Sequence, residues 1–124
     1  MKISCGTDII EIERIEKAIN HIGDKFLETI YTKKEIEYCT AKGKMKNQSY
    51  AARFAGKEAV FKAISIFLEN KFDIDWKDIE ILNNSQGKPE VHFINHNFDK
   101  IKSIDISLSH CREYATANVI LIYE

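Results

Sequence analysis

The sequence has little of several features that define particular protein classes. Its 18 basic and 19 acidic side chains leave a net charge of −1, so the chain as a whole shows no bias towards nucleic acid or anionic membranes. Its three cysteines are an odd number without metal-ligand spacing, which favours reduced, buried thiols in a cytoplasmic protein. No apolar run approaches the roughly 20 residues of a membrane span, and the N-terminus lacks a signal-peptide core, so we expect neither membrane insertion nor secretion.

Arginine is also scarce. Only three of the 18 basic residues are arginines: Arg14, Arg53 and Arg112. The planar guanidinium binds phosphate or carboxylate at two points, so each retained arginine is a candidate ligand-binding residue. The same group serves a structural carboxylate equally well, and the sequence leaves both interpretations open.

The remaining composition is ordinary for a globular protein, with 44% hydrophobic and 30% charged residues. A chain of 124 residues can bury a core as one domain, which we place at residues 1–124. Helical patterns come first and strand patterns mostly later. This order predicts an α+β fold in which an antiparallel sheet packs on a long central helix.

Periodicity, capping boxes and turn formers predict the individual elements. Asp8 to Glu11 and Thr32 to Glu35 both have the spacing of a capping box, so Asp8 and Thr32 are predicted to begin helices. The predicted helices cover 8–22, 25–31, 32–42 and 48–70, with a polar loop over 42–47. The predicted strands cover 2–7, 79–82, 90–94, 104–109 and 115–123, with a turn over 83–89.

Two acidic residues stand in distinctive frames, Asp8 within residues 6–15 and Glu58 within residues 53–63. Two carboxylates on separate elements can share a hard divalent ion, and Mg²⁺ on oxygen ligands that stays open to substrate phosphates is a common arrangement. Basic residues near Glu58 are suited to phosphate. The two frames therefore indicate chemistry on a phosphoanhydride.

Each frame also has a structural interpretation. Asp8 fits a helix cap, and Glu58 stands four residues before Lys62, the favourable order for a helix salt bridge. The predicted helix is apolar over most of its circumference, which predicts burial and leaves the stripe of Glu58 and Lys62 facing either a site or a thin layer of solvent. For Arg53 and Lys57 the simpler interpretation is a solvated edge of that helix.

Two further segments are weaker signals. Gly87-Lys88-Pro89 is a turn by composition, and it can also offer backbone N–H groups and the Lys88 ammonium to a phosphate. Ser109-His110 invites a nucleophile–base interpretation, but neighbours in a strand face opposite sides of the sheet. His110 is therefore expected to bind a ligand at the strand end or to hydrogen-bond locally.

Together and in order, these segments resemble the acyl carrier protein synthase family of 4′-phosphopantetheinyl transferases. The resemblance extends over nearly the whole chain. It is carried by residues 6–15, 53–59 with Lys62, 76–81, 87–89, 108–110 and 114–117. One departure is Gly56, where the family more often has alanine.

The resemblance implies the phosphopantetheinyl transferase fold and a reaction. The serine hydroxyl of an apo acyl carrier protein attacks the β-phosphate of coenzyme A, adenosine 3′,5′-bisphosphate leaves, and holo carrier forms for fatty acid biosynthesis. It implies that Asp8 and Glu58 hold Mg²⁺, that Lys62 stabilises the phosphoryl charge, and that Glu58 or a metal-bound water is the base. The implied coenzyme A site comprises Arg53, Lys62, Gly87, Lys88, Pro89, Ser109 and His110.

The same resemblance implies partners. Carrier proteins are acidic, and Arg14 on the first helix is the implied contact for one. Family members of this length are homotrimers with active sites between subunits. No nucleic acid or membrane partner is expected.

Two alternative functions remain open at this point. A different Mg²⁺-dependent enzyme acting on a nucleotide diphosphate, such as a hydrolase, needs a water-positioning group that the sequence does not reveal. A non-catalytic module that binds coenzyme A or the carrier needs no metal. The joint presence of Asp8, Glu58 and Lys62 argues against the second alternative.

Overall fold

A long helix, α4 (Lys46–Ile64), lies at the centre of the fold in the computed structural model, which describes residues 1–124. Twelve of its nineteen residues are buried, on almost every side of the helix. Fully buried alanines recur every fourth residue, and this stripe of small side chains lets other elements approach the helix closely. The alanines are Ala51, Ala55, Ala59 and Ala63. The prediction that the longest helix is buried is confirmed.

The other elements surround α4. The strands are β1 (Lys2–Glu11), β2 (Ile79–Asn83), β3 (Pro89–Phe93), β4 (Ile101–His110) and β5 (Tyr114–Tyr123), and the remaining helices are α1 (Ile12–Ile22), α2 (Asp24–Ile30) and α3 (Lys33–Thr40). Short 3₁₀ helices cover Gly43–Met45, Ser65–Phe67, Lys71–Asp73 and Trp76–Asp78. The predicted polar loop over 42–47 is thus partly helical.

The strands form two antiparallel sheets. One has three strands in the order β1-β5-β4, and the other is the β2-β3 hairpin. The three-stranded sheet lays one face on α4, and 22 buried hydrophobic residues from helices and sheets form one core cluster. This architecture confirms the predicted α+β class, with the sheet packed on the long helix.

The start of α1 differs from the prediction. The first strand continues to Glu11, since every residue from Lys2 to Glu11 pairs with β5, and α1 begins only at Ile12. Asp8 therefore lies within a strand, and its predicted role as a helix cap is wrong. Pairing with a long partner strand and the β-branched Ile9 and Ile10 outweigh the local capping pattern.

The end of α4 also differs from the prediction, which placed it at Asn70. Regular helix ends at Ile64, and a 3₁₀ turn follows over Ser65–Phe67. The Ser65 hydroxyl donates to the Lys62 carbonyl at 2.8 Å, and the Asn70 side chain caps the next 3₁₀ helix. Serine and asparagine side chains compete with the backbone for helical hydrogen bonds, which explains the early end.

The capping box that begins α3 is confirmed. The Thr32 amide donates to Glu35 Oε1 at 2.8 Å, and the Glu35 amide donates to Thr32 Oγ1 at 3.3 Å. The expectation of buried cysteines is confirmed only for Cys39, because Cys5 and Cys111 are exposed; all three thiols are free. No helix of the protein combines the length and the apolar composition that a membrane span needs.

Candidate active site

Asp8 is placed by β1 on the face of the sheet that covers α4. It pairs with Ala117 of β5, a fully buried core residue, and the two share that face. Two residues earlier, a Cβ on Gly6 would lie only 2.0 Å from the Ala59 carbonyl oxygen. The absence of a side chain at Gly6 thus lets β1 lie directly against α4, which brings Asp8 to the surface of that helix.

Lys62 of α4 meets Asp8 in the gap between the strand and the helix. Its Nζ lies 3.3 Å from Asp8 Oδ1 and donates to the Thr7 carbonyl at 2.9 Å. The predicted salt bridge between Glu58 and Lys62 is not formed, because Lys62 reaches across to β1 instead. This contact joins the two frames that the sequence singled out.

Glu58 lies one helical turn before Lys62, and the charges of Asp8 and Lys62 both affect its pKa. Burial raises the pKa of the Glu58 carboxyl, the negative charge of Asp8 raises it further, and Lys62 opposes the shift. Asp8, Glu58 and Lys62 therefore form one electrostatic cluster of two carboxylates and an ammonium. The structure brings together the three residues that the sequence predicted as catalytic.

The chemistry of this cluster suits Mg²⁺. No group of three or more histidine, cysteine or acidic side chains in the chain could enclose a metal ion by itself. Mg²⁺ commonly uses only one or two protein carboxylates and takes its other ligands from water and substrate phosphates. The repulsion that raises the pKa of Glu58 is of the kind that a shared cation relieves.

The Gly87-Lys88-Pro89 turn lies elsewhere in the fold. Gly87 has φ +86°, a backbone region that favours glycine. Lys88 Nζ lies 2.8 Å from Asp105 Oδ1 and donates to the Ile106 carbonyl at 3.3 Å, and its hydrogen bond lowers the pKa of Asp105. Asp105 is on β4, one edge strand of the sheet, whereas Asp8 is on β1, the opposite edge. One chain therefore does not bring the turn and the carboxylate pair together.

Ser109 and His110 are exposed at the end of β4. His110 pairs with Ala115, which in turn pairs with Ile10, so His110 shares the sheet face of Asp8 but lies on the other edge strand. Ser109 lies on the outer face. Their opposite orientation agrees with the prediction that they do not form a nucleophile–base pair.

Comparison with known proteins decides the family. The model of the 4′-phosphopantetheinyl transferase superfamily matches residues 4–119. The chain belongs to this superfamily. Among its relatives, the holo-[acyl-carrier-protein] synthase of Ruminiclostridium cellulolyticum is 44% identical over 126 residues, covering 98% of this chain and 92% of the relative. The synthase of Chlamydia pneumoniae is 45% identical and covers 97% of both chains.

Solved structures agree with this assignment. The crystal structure of Helicobacter pylori holo-[acyl-carrier-protein] synthase in complex with coenzyme A has a TM-score of 0.82 at 32% identity, covering 95% of this chain and 99% of that one. The Bacillus anthracis synthase in complex with coenzyme A has a TM-score of 0.79 at 34% identity, covering 98% and 96%. The predicted phosphopantetheinyl transferase fold is confirmed.

This superfamily member has a cleft that Glu58 lines together with mainly hydrophobic residues, and the sequence analysis did not predict it. The cleft has a volume of about 440 Å³. Its walls include Phe61, Trp76 and Ile79, and the Trp76 ring stacks on Phe54 with 4.9 Å between ring centroids. The signal that could have found it is the lone tryptophan of the chain, in a segment that precedes a strand.

The solvated edge predicted for Arg53 and Lys57 is wrong. Arg53 is 5% and Lys57 1% exposed. Lys57 Nζ lies 2.7 Å from Glu35 Oε1 and donates to the carbonyls of Trp76 and Ile79, while burial lowers the pKa of Lys57 against the opposing effect of Glu35. These acceptors lie far away in the sequence, so a helical projection could not reveal them.

Arg53, predicted to line the coenzyme A site, is also held by protein groups. Its Nη2 donates to Asn83 Oδ1 at 2.5 Å, and its guanidinium carbon lies 4.4 Å from the centroid of the Tyr38 ring. By contrast, Arg14 is exposed on α1 and forms no ion pair. Arg112 is exposed beside a polar cleft of about 610 Å³ that Glu11 and Glu113 also line.

Proposed function

We propose that the protein is a Mg²⁺-dependent holo-[acyl-carrier-protein] synthase. It transfers 4′-phosphopantetheine from coenzyme A to the serine hydroxyl of an apo acyl carrier protein and releases adenosine 3′,5′-bisphosphate. The observation that carries this proposal is the cluster of Asp8, Glu58 and Lys62 between β1 and α4, in a chain of this superfamily. The expected product is holo carrier for fatty acid biosynthesis.

The mechanism assigns one task to each member of the cluster. Asp8 and Glu58 would hold Mg²⁺, which would supply positive charge to neutralise the coenzyme A diphosphate. Lys62 directs its ammonium at the phosphoryl oxygens, where charge develops as the serine oxygen forms its bond to phosphorus. The bond from that phosphorus to the bridging oxygen breaks, and adenosine bisphosphate departs with the electron pair.

Glu58 is also suited to accept the serine proton. A general base works best when its pKa approaches the working pH, and both burial and Asp8 raise the pKa of Glu58. Its neighbour Lys62 moderates that shift and keeps the carboxylate available. Glu58 then removes the proton from the hydroxyl as the oxygen attacks.

The active site is proposed to lie between subunits of a homotrimer. The sheet face turned away from α4 carries three large exposed isoleucines, Ile3 at 66%, Ile9 at 64% and Ile120 at 55% exposure. Exposed apolar side chains that share one face are typical of an interface. Asp8 and Lys88 lie towards opposite edges of that sheet. A second copy can place its Gly87-Lys88-Pro89 turn, with Ser109 and His110, across from the carboxylates of the first.

Subunit mixing tests this arrangement. We expect Asp8→Ala and Lys88→Glu chains to be inactive alone. The first lacks a metal ligand, and the second places a negative charge where Lys88 would bind a phosphate. Co-refolded mixtures should regain activity, since a trimer of both chains contains interfaces with an intact Asp8 and an intact Lys88. Sedimentation should give a trimer, and mixtures that stay inactive despite forming mixed trimers contradict a shared site.

The carrier protein is proposed to approach through Arg14. This guanidinium is exposed on α1, the helix that directly follows the Asp8 strand, and no carboxylate of the chain neutralises it. Arg14→Ala should raise KM for the carrier, because the carrier is acidic, and should leave KM for coenzyme A unchanged.

The proposed cellular location is the cytoplasm, which agrees with the three free thiols.

The decisive experiment is transfer itself. The protein is incubated with coenzyme A, Mg²⁺ and an apo carrier, and the intact mass of the carrier is measured. We expect the gain of one phosphopantetheine, and its loss with chelator, with Asp8→Asn and with Glu58→Gln. Glu69→Gln, at an exposed glutamate a few residues beyond the end of α4, serves as the control.

The same experiment separates the alternatives. Binding of coenzyme A without any mass gain, over several apo carriers, supports a non-catalytic module and overturns the transferase. Consumption of coenzyme A without modification of the carrier supports a hydrolase. In both cases liquid chromatography of the nucleotide products shows whether the diphosphate was cleaved.

A further inference from the structure

The turn at Gly87-Lys88-Pro89 is held to the central helix by one side chain. Asn83, the last residue of β2, accepts a hydrogen bond from Arg53 Nη2 at 2.5 Å and donates from Nδ2 to the Gly87 carbonyl at 2.9 Å. Both the oxygen and the NH₂ group of its side-chain amide are therefore hydrogen-bonded. It connects α4 to the backbone of the turn.

Arg53 is well suited to anchor this connection. It is 5% exposed, and its guanidinium packs over the Tyr38 ring, so the side chain is confined before it reaches Asn83. A hydrogen bond from a charged donor is stronger than one between neutral groups. The Asn83 side chain is consequently fixed in position and orientation, with its N–H₂ group facing the turn.

The rest of the turn is held by separate contacts. Asn84 Oδ1 accepts from the amides of Gln86 and Lys88 at 2.9 and 3.1 Å, which sets the internal shape of the turn. Lys88 Nζ is bound to Asp105 and so ties its own side chain to β4. Neither contact relates the turn backbone to α4. The turn is also part of the β2–β3 hairpin, and the Asn83 amide adds a side-chain link from the turn backbone to α4.

We propose that Asn83 is a positioning residue for coenzyme A binding, and that Arg53 acts through it. The inference rests on the proposed function, in which the Gly87-Lys88-Pro89 turn forms part of the coenzyme A site. Arg53 is then a support for the turn, whereas the sequence analysis expected it to contact coenzyme A directly. Loss of the Asn83 donor lets the turn move relative to α4 and weakens binding of the nucleotide.

Asn83→Asp tests the donor alone. Aspartate keeps an oxygen that accepts from Arg53, but an ionised carboxylate cannot donate to the Gly87 carbonyl. We expect KM for coenzyme A to rise about tenfold, the size of effect that a lost hydrogen bond with an unsatisfied partner gives. The kcat value and KM for the apo carrier should stay within about twofold, because the Asp8–Glu58–Lys62 cluster is untouched.

Asn83→Ala and Asn97→Asp complete the experiment. Asn83→Ala removes both hydrogen bonds and should raise KM for coenzyme A at least as much, while Asn97→Asp places the same new charge on an exposed asparagine and should change nothing. A merely structural defect lowers the active fraction and hence kcat, whereas KM is independent of the amount of folded enzyme. Thermal unfolding records the folded fraction.

The outcomes are distinct from those for the proposed function. If the unmodified protein fails to modify any apo carrier, the proposed function fails. If the unmodified protein does modify a carrier, the role of Asn83 is overturned by any of three results. Both Asn83 variants keep the original KM for coenzyme A, both lose only kcat, or Asn97→Asp shows an equal rise in KM. A selective rise in KM for coenzyme A supports it.

Discussion

Lys62 Nζ lies 3.3 Å from Asp8 Oδ1, and this salt bridge links β1 to the central helix α4. It joins residues 54 positions apart in the sequence. The side chain of Lys62 is about half exposed, whereas that of Asp8 is mostly buried. The ammonium is thus free to turn towards a substrate phosphate, while the carboxylate stays fixed against the helix.

Lys62→Met should reduce kcat by about 10² to 10³, the usual effect of removing one group that stabilises charge in a transition state. Methionine keeps the length of the side chain and removes its charge. The measurement is the initial rate of carrier modification at saturating coenzyme A. Lys46→Met, at the exposed start of the same helix, is the control and should keep the original rate. An equal fall in both variants contradicts a role for this particular charge.

The pKa of Glu58 should respond to each neighbour separately. Because Asp8 raises it and Lys62 lowers it, Asp8→Asn should lower the pKa of Glu58, and Lys62→Met should raise it. Carbon-detected NMR titration of the Glu58 side-chain carboxyl in metal-free protein measures both shifts. Identical titration curves in all three proteins contradict the clustering of these charges.

The raised pKa also predicts how stability depends on pH. The folded protein binds the Glu58 proton more tightly than the unfolded chain, so ionised Glu58 destabilises the fold at pH values above its raised pKa. Glu58→Gln should therefore raise the melting temperature of metal-free protein at neutral pH. The gain should vanish below the ordinary glutamate pKa, where both states are protonated. Glu69→Gln should change little at either pH.

Local sequence patterns predicted the structure correctly where it depends on residues that are near neighbours in the sequence. The capping box from Thr32 to Glu35 and the turn that ends with Pro89 both form as the sequence indicates. The joining of Asp8, Glu58 and Lys62 was anticipated through the family resemblance. The cap predicted at Asp8 failed because β5, more than 100 residues away, extends the strand past it.

The buried cations show the same limit. Arg53 and Lys57 lie inside the protein because Asn83 and Glu35 supply polar partners there, and neither partner is a neighbour in the sequence. Charged residues are expected at the surface unless such partners exist. Helical periodicity predicts which residues share a side of a helix, but it does not indicate which acceptors meet that side.

The buried pair of Lys57 and Glu35 should be strongly coupled. Lys57→Met leaves the Glu35 carboxylate buried without its partner, at a cost of about 3 to 5 kcal/mol in the free energy of unfolding. The double variant Lys57→Met, Glu35→Gln should lose less than the sum of the single variants, because it removes both charges together. Urea unfolding of the four proteins measures the coupling, and strictly additive losses contradict it.

Two glycines should differ in how much an alanine substitution destabilises the protein. At Gly6 the new Cβ would lie 2.0 Å from the Ala59 backbone oxygen, which cannot move without shifting α4, so Gly6→Ala should cost about 3 kcal/mol or more. At Gly56 the nearest atom is the flexible tip of Ile81 at 2.6 Å, and alanine improves helix propensity by about 1 kcal/mol, so the net change should stay within about 1 kcal/mol.

The Gly6 variant should also lose the site. A shift of β1 away from α4 separates Asp8 from Glu58, and the pair then no longer shares a cation. Titration calorimetry should show weaker Mg²⁺ binding by folded Gly6→Ala at a temperature well below its unfolding transition, while Gly56→Ala binds as the original protein does. If Gly6→Ala is destabilised but keeps its Mg²⁺ affinity, the close approach of strand and helix serves packing alone.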